Sequence, residues 1–360
     1  MNIVILAGGV GTRLWPLGRR NSPKQFFPVI GQEPLVRETY RRFLKTYGAS
    51  RIFFSVTADL LIPLRKLFPR LPAAQFIMEP ERRDTAPAMG YVAAVLSLTI
   101  PDEPLVFVPA DHFVADQQKY LACFKAGEKL VKETGKLVDI GITATFPSTV
   151  LGYTKVGALY KKLNGVAVYR FAGHTEKPAA RTALRYLASG QYLWHGNYYM
   201  WTPRRFLAAL VHYAPSLGKG LLKIRALIQA GRAAAVRREY ARLERTSFDY
   251  AVTEKIKRRE VLIIRGDFGW SDVGAWDLLH EQLRHTGDGA GNVVRGQVAH
   301  WDTRNCLIYA HPKRLVAAVG LADTVVIDTN DAVLVCPKDR AQDVKKLFPL
   351  LEQKKLAKYL

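Results

Sequence analysis

Cysteine is scarce in this 360-residue chain, which has three copies at Cys123, Cys306 and Cys336. They lie far apart in the sequence, and no two form the C-x-x-C pair that metal sites and redox dithiols use. Apolar residues surround Cys306 and Cys336, an environment that favours a buried thiol. We therefore predict free cysteines.

Long apolar runs are also absent. None reaches the ~18–20 residues that a membrane-spanning helix needs, and the amino terminus passes straight into a predicted strand instead of a secretory signal. A composition of 49% hydrophobic and 23% charged residues is that of an ordinary globular protein. These features predict a soluble, cytoplasmic protein that does not use the membrane.

Acidic residues are too few to balance the basic ones, and the formal net charge is +22. A charge of this size raises the hypothesis of a nucleic-acid partner. Between residues 219 and 259 there are 12 Lys or Arg against 4 Asp or Glu, and the arginines alternate with glutamates and apolar residues at helical spacing. Tyr240 is the single aromatic residue of the densest stretch, 236–245, and no nucleic-acid reader motif occurs. We therefore predict the solvated face of a helix, a basic surface suited to anionic substrates, and no nucleic-acid partner.

What the chain does contain is a glycine-rich turn directly after its first apolar segment. The turn reads Gly8-Gly9-Val10-Gly11-Thr12-Arg13-Leu14, and Pro23-Lys24 follows. Glycines let backbone N–H groups approach a phosphate, and the two cations can neutralise it. A dinucleotide fingerprint would need glycine where Leu14 stands, and a P-loop would need a Gly-Lys pair at 13–14 or 14–15. The turn is therefore a candidate phosphate cradle of another kind.

The first two-thirds of the chain alternates strand-like and helix-like stretches. The predicted strands are 3–6, 52–56, 75–78, 105–108 and 138–142, and the predicted helices are 34–44, 59–67, 87–98 and 120–132. Apolar strands separated by helices predict an α/β fold with a Rossmann-like, mostly parallel sheet. Ligands bind beyond the carboxyl ends of such strands, where the glycine turn and Asp111 both lie.

From about Gly291 the sequence pattern changes to short β-rich runs separated by turn residues. The runs are 292–299, 305–310, 315–319, 324–328 and 332–336, and a charged helix is predicted from Arg340 to the end. We therefore expect a large domain over 1–285 and a small β-rich domain over 291–360 that ends in a helix.

The glycine turn with Pro23-Lys24 resembles the signature of the sugar-phosphate nucleotidyltransferases, G-G-x-G-T-R-L-x-P-L…P-K. Within that family the chain resembles the mannose-1-phosphate guanylyltransferases, since Ser247-Phe248-Asp249-Tyr250-Ala251-Val252 is similar to their S-I-D-Y-A-V. The resemblance implies transfer of GMP from GTP to mannose 1-phosphate with release of pyrophosphate. The sugar phosphate is already an anion near neutral pH, so no general base is required and metal ions and cations should dominate catalysis.

The resemblance also implies roles for individual residues at the phosphates. Arg13 and Lys24 would be the catalytic cations. Asp111, which could equally cap the next helix, would share Mg²⁺ with Asp272 of the Gly-Trp-Ser-Asp-Val-Gly-Ala-Trp segment.

The expected nucleotide-binding residues come from the glycine turn and from an R-D-T-A-P-A element, which has Asp84 where asparagine is usual. They are Leu6, Ala7, Gly8, Gly9, Gly11, Thr12, Arg13, Arg83, Asp84 and Thr85. The polar role of Asp84 stays open.

For the sugar phosphate, the resemblance implies Gly152, Glu176, Lys177 and Asn197. Thr154 replaces a glycine of the family's G-Y-G-Y segment. Trp194-His195-Gly196-Asn197 resembles W-N-x-G, with His195 where asparagine is expected, so His195 and Asn197 are both candidates to meet the sugar.

The alternatives are the same chemistry on another sugar 1-phosphate or nucleotide, and a binding protein for nucleotide sugars that lacks turnover. The expected partners are GTP and mannose 1-phosphate, and a homodimer is compatible with the sequence.

Overall fold

The computed structural model describes residues 1–9, 11–20 and 23–360, with the side chain of Thr12 outside that description. The chain divides into two compact units. The first comprises Met1–Gly8, Thr39–Ala110 and Val114–Trp270, and the second comprises Gly9–Glu38, Asp111–Phe113 and Ser271–Leu360. Residues 9–38 and 111–113 therefore belong with the carboxyl-terminal part of the chain, although they are distant from it in sequence.

Strands and helices alternate along most of the chain. The strands are β1 (Asn2–Leu6), β2 (Ile52–Thr57), β3 (Phe76–Glu79), β4 (Leu105–Pro109), β5 (Phe113–Val114), β6 (Leu137–Thr143), β7 (Tyr153–Leu163), β8 (Val166–Thr175), β9 (Tyr192–His195), β10 (Met200–Trp201), β11 (Val261–Gly266), β12 (Trp270–Ser271), β13 (Val293–Arg295), β14 (Gln297–Trp301), β15 (Leu307–Tyr309), β16 (Leu315–Val319), β17 (Thr324–Asp328) and β18 (Val333–Pro337). The α-helices are α1 (Leu35–Tyr47), α2 (Ala58–Leu67), α3 (Thr85–Leu96), α4 (Gln117–Thr134), α5 (Ala180–Ser189), α6 (Pro203–Tyr213), α7 (Pro215–Gln229), α8 (Ala233–Tyr240), α9 (Trp276–Leu283) and α10 (Leu347–Gln353).

Several 3₁₀ segments and one π-helical turn complete the secondary structure. The 3₁₀ turns are Thr12–Leu14, Lys24–Phe26, Ala49–Arg51, Ala73–Gln75, Arg258–Glu260, Arg284–Thr286, Lys338–Lys346 and Ala357–Tyr359, and Asp249–Thr253 is a π-helical turn.

A ten-stranded sheet forms the centre of the first unit, in the order β11-β8-β7-β9-β6-β10-β4-β1-β2-β3. Strands β4, β1, β2 and β3 are parallel neighbours, and their apolar residues are buried almost throughout. The predicted α/β fold class is confirmed, and each of the five predicted strands is present within one residue at either end. Strands β7 to β10 add antiparallel pairings that the sequence did not indicate.

The register of the parallel strands places two loops side by side. Leu6 at the end of β1 pairs with Pro109 at the end of β4. Residues 7–8 and Ala110 therefore leave the sheet at the same edge, which is where α/β sheets bind their ligands.

Short parallel strands build the β-rich part of the second unit. Strands β13, β15 and β17 are parallel neighbours, β14 pairs in parallel with β16, and β18 lies antiparallel on β17. The predicted strand 292–299 is two strands, because Gly296 turns the chain between them with a positive φ of 83°. A Cβ at Gly296 would lie 2.5 Å from the carbonyl oxygen of Ala310, so this corner requires glycine.

The predicted carboxyl-terminal helix from Arg340 is wrong as a continuous α-helix. Residues Lys338–Lys346 form 3₁₀ turns, α10 follows, and Ala357–Tyr359 is again 3₁₀. Pro349 lies in the first turn of α10. Proline is tolerated there, but it lacks the N–H that a longer helix running through this position would use.

The cysteines are free, as predicted; Cys123 and Cys306 are buried and Cys336 is half-buried. Among the helices of the described residues, none is long and apolar enough to cross a lipid bilayer.

Candidate active site

The glycine turn of the second unit packs directly on Lys24. Gly11 has a positive φ of 63°, and a Cβ there would lie 2.7 Å from Cγ of Lys24. The side chain of Gln25 donates to the carbonyl oxygen of Gly9 at 3.0 Å. A side chain at position 11 would therefore strain the backbone and displace the lysine stem. Thr12, one of the predicted nucleotide-binding residues, has its side chain outside the described part of the chain.

Lys24 is the centre of the charged cluster in this unit. Its buried ammonium lies 2.9 Å from Oδ2 of Asp111 and donates to the carbonyl oxygens of Asp272 at 2.8 Å and Val273 at 3.0 Å. Burial opposes ionisation of Asp111, but the charges of Lys24 and His112 outweigh it and lower the pKa of that carboxyl group. The fold therefore brings the carboxylate of Asp111 and the backbone carbonyl of Asp272 to the ammonium of Lys24, and all three residues were predicted to belong to the site.

A tight turn fixes the carboxylate of Asp272. Its Oδ1 accepts from the backbone N–H of Gly274 at 3.2 Å, and a Cβ at Gly274 would lie 2.5 Å from Oδ2. After the turn, the buried Trp276 donates from its indole N–H to the carbonyl oxygen of Trp15 at 3.0 Å. The flanking glycine and tryptophan thus hold this segment against residues near the glycine turn. Asp111 and Asp272 can offer carboxylate oxygens as metal ligands, and such oxygens suit a hard cation such as Mg²⁺.

Arg13 is held by residues that sequence reasoning missed. Its guanidinium donates to Oε1 of Gln342 at 3.4 Å, and the amide of Gln342 donates to the carboxylate of Asp277 at 3.2 Å. Gln342 lies 329 positions away from Arg13, and no local pattern could have paired them. The arrangement orients Arg13 through a neutral amide, so its charge is not cancelled by this contact.

In the first unit, the R-D-T-A-P-A element begins α3 and is tied to residues before the π-helical turn. Arg83 donates to the carbonyl oxygen of Leu243, and the N–H of Phe248 donates to Oγ1 of Thr85 at 2.9 Å. Asp84 has a positive φ of 71°, and its Oδ1 accepts from the N–H of Thr85 at 2.6 Å. Asparagine and aspartate side chains have nearly the same shape, and each offers an oxygen that can accept from Thr85, so an Asn-to-Asp change is sterically tolerated here.

Glu79 ends β3 beside the start of the glycine turn. A Cβ at Gly8 would lie 3.3 Å from its Oε1, and Tyr240 donates to its Oε2 at 2.8 Å. Burial raises the pKa of Glu79 to about 7, although the Tyr240 hydrogen bond opposes the shift. A buried charged residue that ends a strand signals a paired role, but sequence reasoning did not select Glu79. Leu6 and Ala7 form the end of β1 and the residue after it, and the Ala7 N–H donates to Ser55 at 2.9 Å.

A second group of predicted residues lies together at one end of β7 and β8 in the first unit. Glu176 contacts the ammonium of Lys177 through Oε1 at 2.8 Å and the ring Nε2 of His174 through Oε2 at 3.5 Å. Burial opposes ionisation of Glu176, but His174 and Lys177 outweigh it and lower its pKa. A Cβ at Gly152 would lie 2.3 Å from Oε2 of Glu176, so glycine is needed for this close approach. The fold therefore brings Gly152, Glu176 and Lys177 together.

His195 lies at the centre of a buried network in the same unit. Its Nδ1 is 2.9 Å from Oδ2 of Asp139, and its Nε2 is 3.1 Å from Oδ1 of Asn197 and 3.2 Å from Oδ1 of Asp249. Tyr199 donates to the same Asp249 oxygen at 2.6 Å. Burial alone would lower the pKa of His195, but Asp139 and Asp249 outweigh it and raise that pKa well above its usual range.

Sequence reasoning missed most of this network. Asp139 interrupts the apolar strand Leu137-Val138-Asp139-Ile140, and a buried carboxylate in that position needs a partner, which was the available signal. Thr154, which replaces a motif glycine, contacts Nδ1 of His174 through its hydroxyl at 3.3 Å.

Two protein-family models match parts of the chain. The family model described as "Nucleotidyl transferase" matches residues 2–288, and the one described as "MannoseP isomerase/GMP-like beta-helix domain" matches residues 296–351.

Three individual proteins resemble nearly the whole chain. A mannose-1-phosphate guanylyltransferase of Escherichia coli is 34% identical over 99% of this chain and 75% of that protein. The alginate biosynthesis protein AlgA of Pseudomonas aeruginosa is 34% identical over 97% of this chain and 72% of its own length. A crystal structure described as mannose-1-phosphate geranyltransferase from Thermus thermophilus superposes with a TM-score of 0.86, at 32% identity, over 98% of this chain and 99% of the other.

Proposed function

Because this chain belongs to the nucleotidyl transferase family, we propose that it transfers GMP from GTP to mannose 1-phosphate and releases pyrophosphate. The observation that carries the proposal is the Lys24 ammonium, which holds the Asp111 carboxylate and the backbone of Asp272 together beside the glycine turn. The E. coli relative named for this reaction supports the choice of substrates.

The chemistry asks for charge neutralisation rather than proton removal. An oxygen of mannose 1-phosphate attacks the α-phosphorus of GTP, and the bond from that phosphorus to the pyrophosphate oxygen breaks. Because the attacking phosphate is already ionised near neutral pH, the protein must hold two polyanions in line and stabilise the charge that develops. Lys24 would act as a point charge on the reacting phosphates, and Arg13 would hold phosphate oxygens through its guanidinium fork.

Asp111 and Asp272 are the residues that would hold Mg²⁺. Their donor atoms are hard oxygens, and the lowered pKa of Asp111 keeps it ionised and able to coordinate at neutral pH. Members of this family generally use divalent metal ions. When bound, Mg²⁺ would neutralise phosphate charge during the transfer.

Two groups of the first unit would bind the remaining parts of the substrates. Leu6, Ala7 and Gly8, with Arg83, Asp84 and Thr85, would form the nucleoside pocket. Gly9, Gly11 and Thr12, which belong to the second unit, would bind the triphosphate. Glu176 would accept hydrogen bonds from sugar hydroxyl groups, Lys177 would bind the sugar phosphate, and Gly152 and Asn197 would complete that subsite.

The proposal extends to organisation and location. Residues 1–285 would form the catalytic domain and 291–360 a β-rich accessory domain. As a consumer of GTP, the protein would work in the cytoplasm, either alone or as a homodimer.

The decisive test is a substrate matrix with pyrophosphate release as the readout. GTP, ATP, UTP and dTTP are each combined with mannose 1-phosphate, glucose 1-phosphate and galactose 1-phosphate in the presence of Mg²⁺. We expect the highest kcat/KM for GTP with mannose 1-phosphate. Release with a different pair only would overturn the specificity, and no release with any pair would favour a binding protein without turnover.

A further inference from the structure

Two departures from the family's W-N-x-G motif contact one another in the structure. His195 stands at the asparagine position and Asn197 at the glycine position. The backbone of Asn197 has a positive φ of 56°, the conformation for which a glycine is suited and which asparagine also tolerates. The backbone of this turn is therefore compatible with the motif, while the side chains at its two ends are changed.

We propose that Asn197 supplies the amide donor of the sugar subsite and that His195 is a positioning residue which orients that amide. The proposal rests on the proposed function and names the residues that meet the sugar in it. Asn197 would then be, with Glu176, a group that recognises sugar hydroxyls.

The orientation follows from the hydrogen-bond roles around the imidazole ring. Nδ1 of His195 faces the carboxylate of Asp139 at 2.9 Å, so this nitrogen carries a proton. Nε2 faces two oxygens, Oδ1 of Asn197 at 3.1 Å and Oδ1 of Asp249 at 3.2 Å, and satisfies both only as a second donor. The ring between Asp139 and Asp249 is therefore an imidazolium.

A donor at Nε2 decides which way the Asn197 amide points. Asn197 must present its oxygen to His195, and its NH₂ group then points away from the ring. Across residues 1–9, 11–20 and 23–360, no protein group accepts a hydrogen bond from this NH₂ group. Asn197 is half-buried, between the buried residues Gly196 and Tyr198, so the amide is partly exposed and free to donate to a ligand.

The charged groups around His195 support the same assignment. Asp139 comes from β6 and Asp249 from the π-helical turn, while the rings of His174 on β8 and Tyr199 lie 5.0 Å and 4.8 Å from the His195 ring. Tyr199 donates to Asp249. Two carboxylates therefore flank the imidazolium, and the tyrosine adds a donor and no charge.

The test exchanges the two residues singly and together. Asn197→Gly removes the amide and keeps a backbone that glycine favours; His195→Asn restores the motif's amide. For Asn197→Gly we expect the KM for the sugar 1-phosphate to rise about ten- to a hundredfold, the effect of one lost hydrogen bond, with the KM for GTP unchanged. For the double variant we expect recovery to within about threefold of the starting protein, since an amide again lies in the turn.

Asn164→Gly is the matched control. Asn164 has a positive φ of 49° and lies exposed in the turn between β7 and β8, so the same substitution there should leave both KM values unchanged. An Asn197→Gly protein with an unchanged KM for the sugar phosphate would overturn the proposal. So would equal losses in both KM values, or a double variant no better than Asn197→Gly.

A second readout keeps this inference separate from the proposed reaction. The imidazole ¹⁵N shifts of His195, assigned by comparison with His195→Asn, report its protonation without any substrate. We expect an imidazolium at pH 7.5 that becomes neutral in Asp139→Asn. A neutral ring in the unmodified protein would contradict the orienting role, even if GDP-mannose is made. If His195 is an imidazolium but the protein turns over no sugar phosphate, only the proposed function is rejected. In that case, a change of the His195 shifts on addition of mannose 1-phosphate would support the sugar subsite, and unchanged shifts would contradict it.

Discussion

The ammonium of Lys24 lies 2.9 Å from the carboxylate of Asp111 and donates to the backbone carbonyl oxygen of Asp272 at 2.8 Å. Both residues are proposed metal ligands, and Lys24 is a proposed catalytic cation. One buried side chain thus sets the position of both proposed ligands, and a change at Lys24 should affect the site as well as the stability of the fold.

Lys24→Gln should lower kcat by about 10²- to 10³-fold, the range seen when one group that stabilises transition-state charge is removed. The exposed Lys119→Gln is the control, since the Lys119 side chain is 65% exposed and should leave kcat unchanged. Steady-state kinetics with GTP varied would check both. A Lys24→Gln enzyme that keeps more than a tenth of kcat would remove Lys24 from the catalytic role.

Gly11→Ala should damage the site through packing as well as backbone strain. The added Cβ would lie 2.7 Å from Cγ of Lys24, whereas Gly231 has a similar positive φ of 68° and open space around it. Gly231→Ala therefore reports the cost of the backbone conformation alone, about 1 kcal/mol. We expect Gly11→Ala to lose more stability than Gly231→Ala in urea unfolding and, unlike it, to lose kcat. Equal behaviour of the two variants would contradict a role for the glycine in seating Lys24.

Glu79 should make stability depend on pH. Its pKa is raised by burial from 4.5 to about 7, so the folded state holds a proton over this range that the unfolded state has released. The folded protein is therefore favoured at low pH, and its stability falls as pH rises from 4.5 through 7, by roughly 3 kcal/mol for this one group.

Urea unfolding of Glu79→Gln between pH 5 and pH 8 would measure this effect. The variant should gain stability relative to the parent protein as pH rises, whereas Glu244→Gln, at an exposed site, should show a constant difference. A parallel pH dependence of Glu79→Gln and the parent would show that Glu79 is ionised throughout.

Substitutions at Asp84 distinguish two roles for its side chain, capping of helix α3 and contact with the nucleotide. Its Oδ1 accepts from the N–H of Thr85, and asparagine, which has nearly the same shape, offers an oxygen at the same place. Asp84→Asn should change the free energy of unfolding by less than about 0.5 kcal/mol, and Asp84→Ala should cost roughly 1–2 kcal/mol. We expect the KM for GTP to stay within about threefold in Asp84→Asn. A much larger increase would show that the carboxylate contacts the nucleotide.

The sequence predicted the parallel strands well because each is a continuous apolar run between helices. Strand β7 was not predicted, since three lysines interrupt it and its residues are mostly half-buried, which leaves no continuous apolar run. The strand 292–299 was predicted without its corner because Gly296 acts through its backbone angle, which the sequence does not display.

The residues of the candidate site were likewise predictable only in part. Motif positions such as Lys24, Asp111 and Glu176 could be selected from local patterns. Their partners could not, because the pairing of Arg13 with Gln342 and of His195 with Asp139 depends on how distant segments fold together. Asp139 had a detectable signal, a charge within an apolar strand, and His195 stood at a motif position, but nothing in the sequence paired the two. The roles assigned to the site residues stay predictions until the variants are measured.

The most direct test of the central claim is product identification by ³¹P nuclear magnetic resonance, with GTP, mannose 1-phosphate and Mg²⁺, for the unmodified protein and for Asp272→Ala. We expect the unmodified protein to convert the two substrates into GDP-mannose and pyrophosphate in equal amounts, and the folded Asp272→Ala variant to form neither. Persistence of the GTP and mannose 1-phosphate signals with the unmodified protein, or undiminished product from Asp272→Ala, would contradict the account.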